Sequence, residues 1–115
     1  MMTYDGIWSV QIGSDLGWQT LGVLVLDNGR ALGGGDRAYS RGTYEAAGAR
    51  FRMSLHVHYY RSPRTLFGVR DNAIDLHMVG ERLHDDIMGE AERPDMPGLS
   101  LPIRLTWRAP LLDSP

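Results

Sequence analysis

Four histidines come closest to forming a reactive group in this sequence: His56, His58, His77 and His84. Side chains two positions apart on a β-strand lie on the same face. The first two can therefore approach one metal ion when a neighbouring strand supplies a third ligand, for which Asp75 and Asp86 are candidates. The same pattern is also typical of a polar outer strand face or an interface, and we favour that interpretation. We therefore expect no metal ion and no other cofactor.

The carboxylates do not form a catalytic pair either. Asp85 and Asp86 are adjacent, so on a strand they point to opposite faces. Glu90 and Glu92 share a face, but a catalytic pair needs a pocket that shifts the two pKa values apart. Beside Arg93 at a strand end, both are instead expected to face solvent. No Gly-x-Ser-x-Gly elbow positions a serine nucleophile. The sequence therefore indicates a protein that is not an enzyme.

Composition limits the class of protein further. The 115 residues suit one domain spanning residues 1–115, with 12 basic and 14 acidic side chains and a net charge of −2. That charge balance argues against sequence-independent binding to nucleic acid. The absence of cysteine excludes a disulfide framework, which favours the cytoplasm. The longest apolar run, residues 21–26, is far shorter than the ~20 residues of a membrane helix, and the start has no signal-peptide pattern.

The elements that must position these residues are short strands. Residues 51–60 alternate Phe51, Met53 and Leu55 with polar side chains, a period of two that indicates a strand with one buried face. Asn28-Gly29 between two apolar runs predicts a hairpin turn of type I′, so both residues are structural. Glycines at fairly even spacing divide about eight such strands. They predict an all-β antiparallel meander that closes into a barrel, with a two-layer sandwich as the alternative.

Two local signals refine this prediction. Ser62-Pro63 matches a helix start, with Ser at the N-cap and Pro at the first helical position, and predicts one short helix near residues 62–70. Gly80-Glu81 predicts a tight turn between strands over residues 73–79 and 83–91.

Residues 21–26 are apolar on both strand faces, which requires a covering outside the barrel. Either the helical segment or a second subunit can supply it. A homodimer is the more economical explanation.

The barrel interior is the remaining candidate site. We expect five apolar side chains to line it: Phe51, Met53, Leu55, Met78 and Trp107. An eight-stranded barrel can hold one small ligand or be filled by its own side chains. Filling is the favoured interpretation, because six methionines and three tryptophans pack adaptably.

Gly6-Ile7-Trp8 in the first strand resembles the Gly-x-Trp that closes the floor of lipocalin-like barrels. In those barrels an arginine of the final strand packs over the indole. The resemblance implies structural roles for Gly6 and Trp8 and assigns the arginine to Arg104 or Arg108. Such a cation–π contact contributes on the order of 1 kcal/mol.

Longer segments extend the resemblance: DGIWSV at 5–10, GVLV at 22–25, NGRALGGGD at 28–36, RGTY at 41–44 and HVHY at 56–59. With these the chain resembles the GrlR-type negative regulators of type III secretion, well over residues 5–60 and loosely beyond. The resemblance implies a lipocalin-like barrel with a little helix, a homodimer, and binding to a transcriptional activator protein instead of DNA. It implies no enzymatic activity.

The turn at residues 44–49 departs from that family. Regulators of this kind present a run of alternating Glu and Asp to the activator, whereas here only Glu45 is acidic. Glu45 is therefore the one partner-binding residue that the resemblance carries over. The main hypothesis is a non-enzymatic regulator that acts through protein contacts. The alternative is a carrier or sensor of a lipid or another small hydrophobic ligand, and an enzyme using the histidine face is the least favoured.

Overall fold

The structure is a computed structural model that describes residues 3–15, 17–61, 65–66, 69–70 and 72–112. Ten strands occur in this part of the chain, and no helix. Their bounds are β1 Gly6–Ser14, β2 Gly17–Asp27, β3 Arg30–Gly34, β4 Ala38–Ala47, β5 Arg50–Tyr59, β6 Thr65–Leu66, β7 Val69–Arg70, β8 Ala73–Leu83, β9 Asp86–Glu92 and β10 Ser100–Ala109.

Eight of these strands form one closed antiparallel barrel in the order β1-β10-β9-β8-β5-β4-β3-β2. Each strand pairs with its neighbour along the chain once the β6–β7 hairpin is set aside, so the sheet is a meander. It closes where β1 pairs with β10, for example Val10 with Leu105. Closure gives every barrel strand two partners and removes the unpaired edges that invite aggregation. The all-β barrel prediction is confirmed, and the sandwich alternative is wrong.

The predicted helix near residues 62–70 is wrong where the structure describes this segment. Thr65 pairs with Arg70 and Leu66 with Val69 in a short antiparallel hairpin, β6–β7. Ser62 and Pro63, which carried the helix signal, lie outside the described residues. A Ser-Pro start specifies only the first turn of a helix, whereas the β-branched Thr65 and Val69 favour extended backbone.

The turn between β8 and β9 lies at His84-Asp85 and not at Gly80-Glu81, which are part of β8. His84 adopts a left-handed conformation with φ of 57°. Gly80 serves a different purpose, because it faces Gly89 across the strand pair. A Cβ added at Gly80 would lie 2.5 Å from the Met88 carbonyl oxygen, so glycine allows close approach of two backbones here.

The core follows from strand alternation. Large side chains that are essentially inaccessible come from six strands: Trp8, Ile12, Leu24, Leu26, Phe51, Met78, Ile87 and Leu105. The smaller of two buried clusters, Ile12, Tyr59, Ile74 and Leu76, occupies the barrel end where β1 and β5 finish. The predicted type I′ turn is confirmed, with φ of 51° at Asn28 and 83° at Gly29.

Candidate functional site

The histidine face lies on the outside of the barrel. His56 Nδ1 lies 2.8 Å from Asp75 Oδ1 across the β5–β8 pair, with both side chains about half exposed or more. The His58 ring stacks on Tyr39, with centroids 5.3 Å apart. Asp86 instead accepts a hydrogen bond from Thr106 Oγ1. Among the described residues, no three His, Asp or Glu side chains lie together in an arrangement that could hold a metal ion.

The other two histidines lie apart from this pair. His77 is on β8 opposite Ser54 and Glu92, and His84 is in the β8–β9 turn. The partner-binding candidate Glu45 is exposed on β4 opposite Arg52. These predicted residues therefore do not converge on one site.

The interior candidates are part of the packed core. Phe51, Met53, Leu55 and Met78 are buried, and Trp107 packs against the same cluster. An apolar cavity of about 70 Å³ lies near the β2–β4 side of the barrel, and of these five side chains only Leu55 lines it. Ligand pockets usually enclose about 300–1,000 Å³. The described side chains thus leave little room for a lipid-sized molecule.

The Gly-x-Trp strand closes the other end of the barrel. Trp8 is completely buried, and its Nε1 donates to the Tyr4 carbonyl oxygen over 2.9 Å. The Trp107 ring meets it edge-on, with centroids 5.3 Å apart. A Cβ at Gly6 would lie 2.4 Å from the Trp107 ring, so only glycine fits there. The structural roles predicted for Gly6 and Trp8 are consistent with these contacts.

The arginine over Trp8 is Arg82 of β8, and the assignment to Arg104 or Arg108 is wrong. The Arg82 guanidinium carbon lies 5.1 Å from the Trp8 ring centroid and 4.9 Å from that of Tyr4. Arg104 and Arg108 alternate with the inward Leu105 and Trp107, so strand parity turns them outward. Arg104 stacks over Trp18 at 4.5 Å, and Arg108 donates to Ser9 Oγ.

Two tyrosines near this end have raised pKa values. Burial raises the pKa of Tyr44 to about 12, assisted by the hydrogen bond that its hydroxyl donates to Asp5 Oδ1 over 2.5 Å. Burial also raises the pKa of Tyr4, and the charge of Arg82 opposes that rise. Both hydroxyls therefore act as hydrogen-bond donors at neutral pH, Tyr4 to the Gly48 carbonyl oxygen.

One surface feature is an apolar area that we call the β1–β4 face. It consists of Ile7, Val23, Val25, Leu32 and Tyr39. Val23, Leu32 and Tyr39 are 50%, 52% and 45% exposed. Val25 lies between Ile7 and Leu32 in the register of β1, β2 and β3. Ile7, Val25 and Leu32 form a row of directly opposite residues, and Val23 and Tyr39 stand two positions along their strands from that row, so the five form one area.

Arginines border the β1–β4 face. Arg41 of β4 lies opposite Leu32 of β3. Arg30 precedes Leu32 by two positions on the same strand. Arg30 lies 3.5 Å from Asp27 at an exposed position, a contact that solvent screens. Arg37 is exposed in the connection between β3 and β4. Asp27 and Asp36 lie at the same border, so the apolar side chains are surrounded by charged residues of both signs.

Sequence reasoning found one part of this surface and missed the rest. Residues 21–26 were expected to be apolar on both sides, and in the single chain Leu24 and Leu26 are buried while Val23 is half exposed. Leu32 and Tyr39 were missed because neither belongs to a longer apolar run: Leu32 is followed by three glycines and Tyr39 by Ser40. Arg82 was missed because Gly80 was predicted to be in a turn. The strand β8 instead continues to Leu83, and this places the Arg82 side chain on the inward face.

The class that these observations define is a closed, eight-stranded antiparallel β-barrel with a filled interior and an apolar outer face. No protein-family model matches the sequence. No curated protein sequence matches it significantly either. Nowhere in the described part of the chain is there a helix long and apolar enough to cross a membrane.

Proposed function

We propose that this protein is a non-enzymatic regulator that acts by binding another protein through the β1–β4 face. One observation carries the proposal. Val23, Leu32 and Tyr39 are each about half exposed on adjacent strands, next to the partly exposed Ile7 and Val25. Continuous exposed apolar areas with a polar border are typical of protein-binding sites.

The finer parts of the proposal come from the family resemblance. A lipocalin-like barrel, a negative regulatory effect, a transcriptional activator as partner and a cytoplasmic location all follow from it or from the composition. Self-association has a physical basis of its own, because an uncovered strand face gains stability when a second subunit covers it. Each buried Val or Leu side chain contributes about 1.5–3 kcal/mol relative to full exposure.

Carriage of a small hydrophobic ligand is the alternative, and the packing of the core disfavours it. The apolar cavity of about 70 Å³ is several times smaller than the usual ligand pocket. Phe51, Met53 and Met78 are at most 4% exposed and fill the space that a ligand would need. Native mass spectrometry of gently purified protein would detect a bound lipid as additional mass.

The test of protein binding is a comparative capture experiment with three immobilised proteins. They are the wild type, Leu32→Glu and the control Leu99→Glu, which changes a 46% exposed leucine in the β9–β10 loop, outside the β1–β4 face. We expect a protein from the source lysate to bind the wild type and the control and to be lost from Leu32→Glu. Equal capture by all three, or capture by none, would contradict the proposal.

A further inference from the structure

A notch interrupts the β1–β4 face at Gly34. In the sheet register, Gly34 of β3 lies directly between Val23 of β2 and Tyr39 of β4. The Val23 and Tyr39 side chains are 50% and 45% exposed, and glycine contributes no side chain to the space between them. The outer face therefore has an opening that is flanked by one aliphatic and one aromatic side chain.

The apolar cavity of about 70 Å³ lies beneath this notch. Val23, Gly34 and Tyr39 line the cavity on the side of the outer face. On the inner side it is lined by buried side chains of the core: Val10, Leu24, Leu55, Leu76 and Ile103. A space bordered by both half-exposed and buried residues reaches from the surface to the core, so the cavity is accessible from the β1–β4 face.

The lengths of the strands explain why the barrel wall is open here. Strand β3 has five residues and ends at Gly34, whereas its neighbours β2 and β4 have 11 and ten. Next to this end, Gly22 of β2 has φ of 140°, and an added Cβ would lie 2.4 Å from the Gly34 carbonyl oxygen. Backbone without side chains therefore forms the wall at this point.

The cavity suits an apolar group better than water. A buried water needs two to four polar partners. Within the described part of the chain, every buried side-chain nitrogen or oxygen already has a hydrogen-bond partner. An apolar cavity of roughly 150 Å³ holds benzene, so one half that size has room for about three or four carbon atoms. This is the size of the branched end of a valine, leucine or isoleucine side chain.

We infer that the protein partner inserts one branched aliphatic side chain through the notch at Gly34 into this cavity. The inference rests on the β1–β4 face being the binding surface proposed above, and it adds which kind of partner residue that surface selects. Anchor side chains that fill preformed pockets contribute most of the binding free energy at many interfaces. Val23 and Tyr39 contact the partner around the inserted side chain and exclude water from it.

Three valine substitutions test the inference. Ala38 is a partly buried residue of β4 that lines the cavity, so Ala38→Val adds two methyl groups to its interior. Gly34→Val places a side chain in the notch, where an added Cβ meets only the Ala38 carbonyl oxygen at 3.7 Å. Ala47→Val is the matched control, because it makes the same change at an exposed position of the same strand. Circular dichroism and urea unfolding check that each variant is folded.

The first measurement is a titration of the four proteins with N-acetylleucinamide, followed by NMR of the leucine and valine methyl groups. We expect the probe to shift the methyl resonances of Leu24 and Leu55 in the wild type and in Ala47→Val. Ala38→Val and Gly34→Val should weaken its binding by about tenfold or more, and N-acetylalaninamide should bind the wild type more weakly by a similar factor. Xenon, which enters dry apolar cavities, should be excluded by Ala38→Val.

Two results of this titration would overturn the inference. If N-acetylleucinamide binds all four proteins equally or binds none of them, the cavity does not take an aliphatic side chain. If octanoate, which has a longer apolar chain, binds the wild type more tightly than N-acetylleucinamide and is displaced by Ala38→Val, the cavity takes acyl chains instead.

The capture experiment, repeated with the valine variants, tests the role of the partner. We expect a protein that is lost from Leu32→Glu to be lost also from Ala38→Val and Gly34→Val and to be retained by Ala47→Val. If only Leu32→Glu loses it, the β1–β4 face stands as the binding surface and insertion into the cavity is wrong. If no protein is captured, the proposed function is wrong. A positive N-acetylleucinamide titration would then still support an aliphatic site, and a negative one would overturn it.

Discussion

Replacement of Arg82 by methionine is expected to loosen the closed end of the barrel. Its guanidinium lies within about 5 Å of the Tyr4 and Trp8 ring centroids and 5.9 Å from that of Trp107. It also donates to the carbonyl oxygens of Thr3 and His84, the second over 2.8 Å. Methionine keeps an apolar chain of similar length but removes the charge and every donor.

The expected loss in the free energy of unfolding is about 2–3 kcal/mol. A cation over an aromatic ring contributes about 0.5–1 kcal/mol at exposed sites and about 2 when desolvated, and Arg82 is intermediate in exposure. A hydrogen bond contributes about 1 kcal/mol net. These contributions share one side chain and are not additive. The loss is large beside the 5–15 kcal/mol by which a domain is usually stable.

Urea unfolding followed by tryptophan fluorescence measures this loss. Arg104→Met is the matched control, since Arg104 contacts one exposed ring, Trp18, and donates to Gln11 on the barrel surface. We expect the control to lose about 1 kcal/mol or less. Arg82→Lys, which keeps the charge without the planar fork, should fall between the wild type and Arg82→Met. Equal losses in Arg82→Met and Arg104→Met would refute the assignment of Arg82 as the closing arginine.

Two further predictions concern the turns. Gly29→Ala should destabilise the chain by about 1–2 kcal/mol in urea unfolding, because φ is 83° at Gly29. The control Gly34→Ala should cost less, since its added Cβ meets only the Ala38 oxygen at 3.7 Å. Asp95→Asn should lower stability at pH 7, because the hydrogen bond from Arg93 holds the pKa of Asp95 below its usual value. That difference should vanish as the pH falls through the folded-state pKa, and its persistence in strong acid would contradict this cause.

The fold was predictable because alternation of apolar and polar residues with a period of two shows which side chains of a strand face the core. Phe51, Met53 and Leu55 were assigned inward from alternation, and all three are buried. The Asn-Gly turn was predictable for a similar reason, since few residues other than Asn and Gly adopt positive φ at low cost. Local patterns were therefore sufficient to predict the meander and its β2–β3 hairpin.

What the sequence did not reveal depends on contacts between distant strands. Gly80 reads as a turn residue, yet its role is to let β8 approach Gly89 of β9, which only the register reveals. Because the turn was predicted at Gly80, Arg82 was not assigned to a strand, and its inward direction was not predicted.

The pairing of the first strand with the last has a consequence for how the chain acquires its structure. Ile12 pairs with Ile103, 91 positions later in the sequence. Contacts of such high sequence separation slow folding, typically to milliseconds or seconds for barrels of this kind. During synthesis, β1 and β9 each lack one partner until β10 has left the ribosome, and exposed strand edges recruit other chains. The last ten-residue strand thus decides whether a nascent molecule becomes a sealed barrel or an aggregation-prone open sheet.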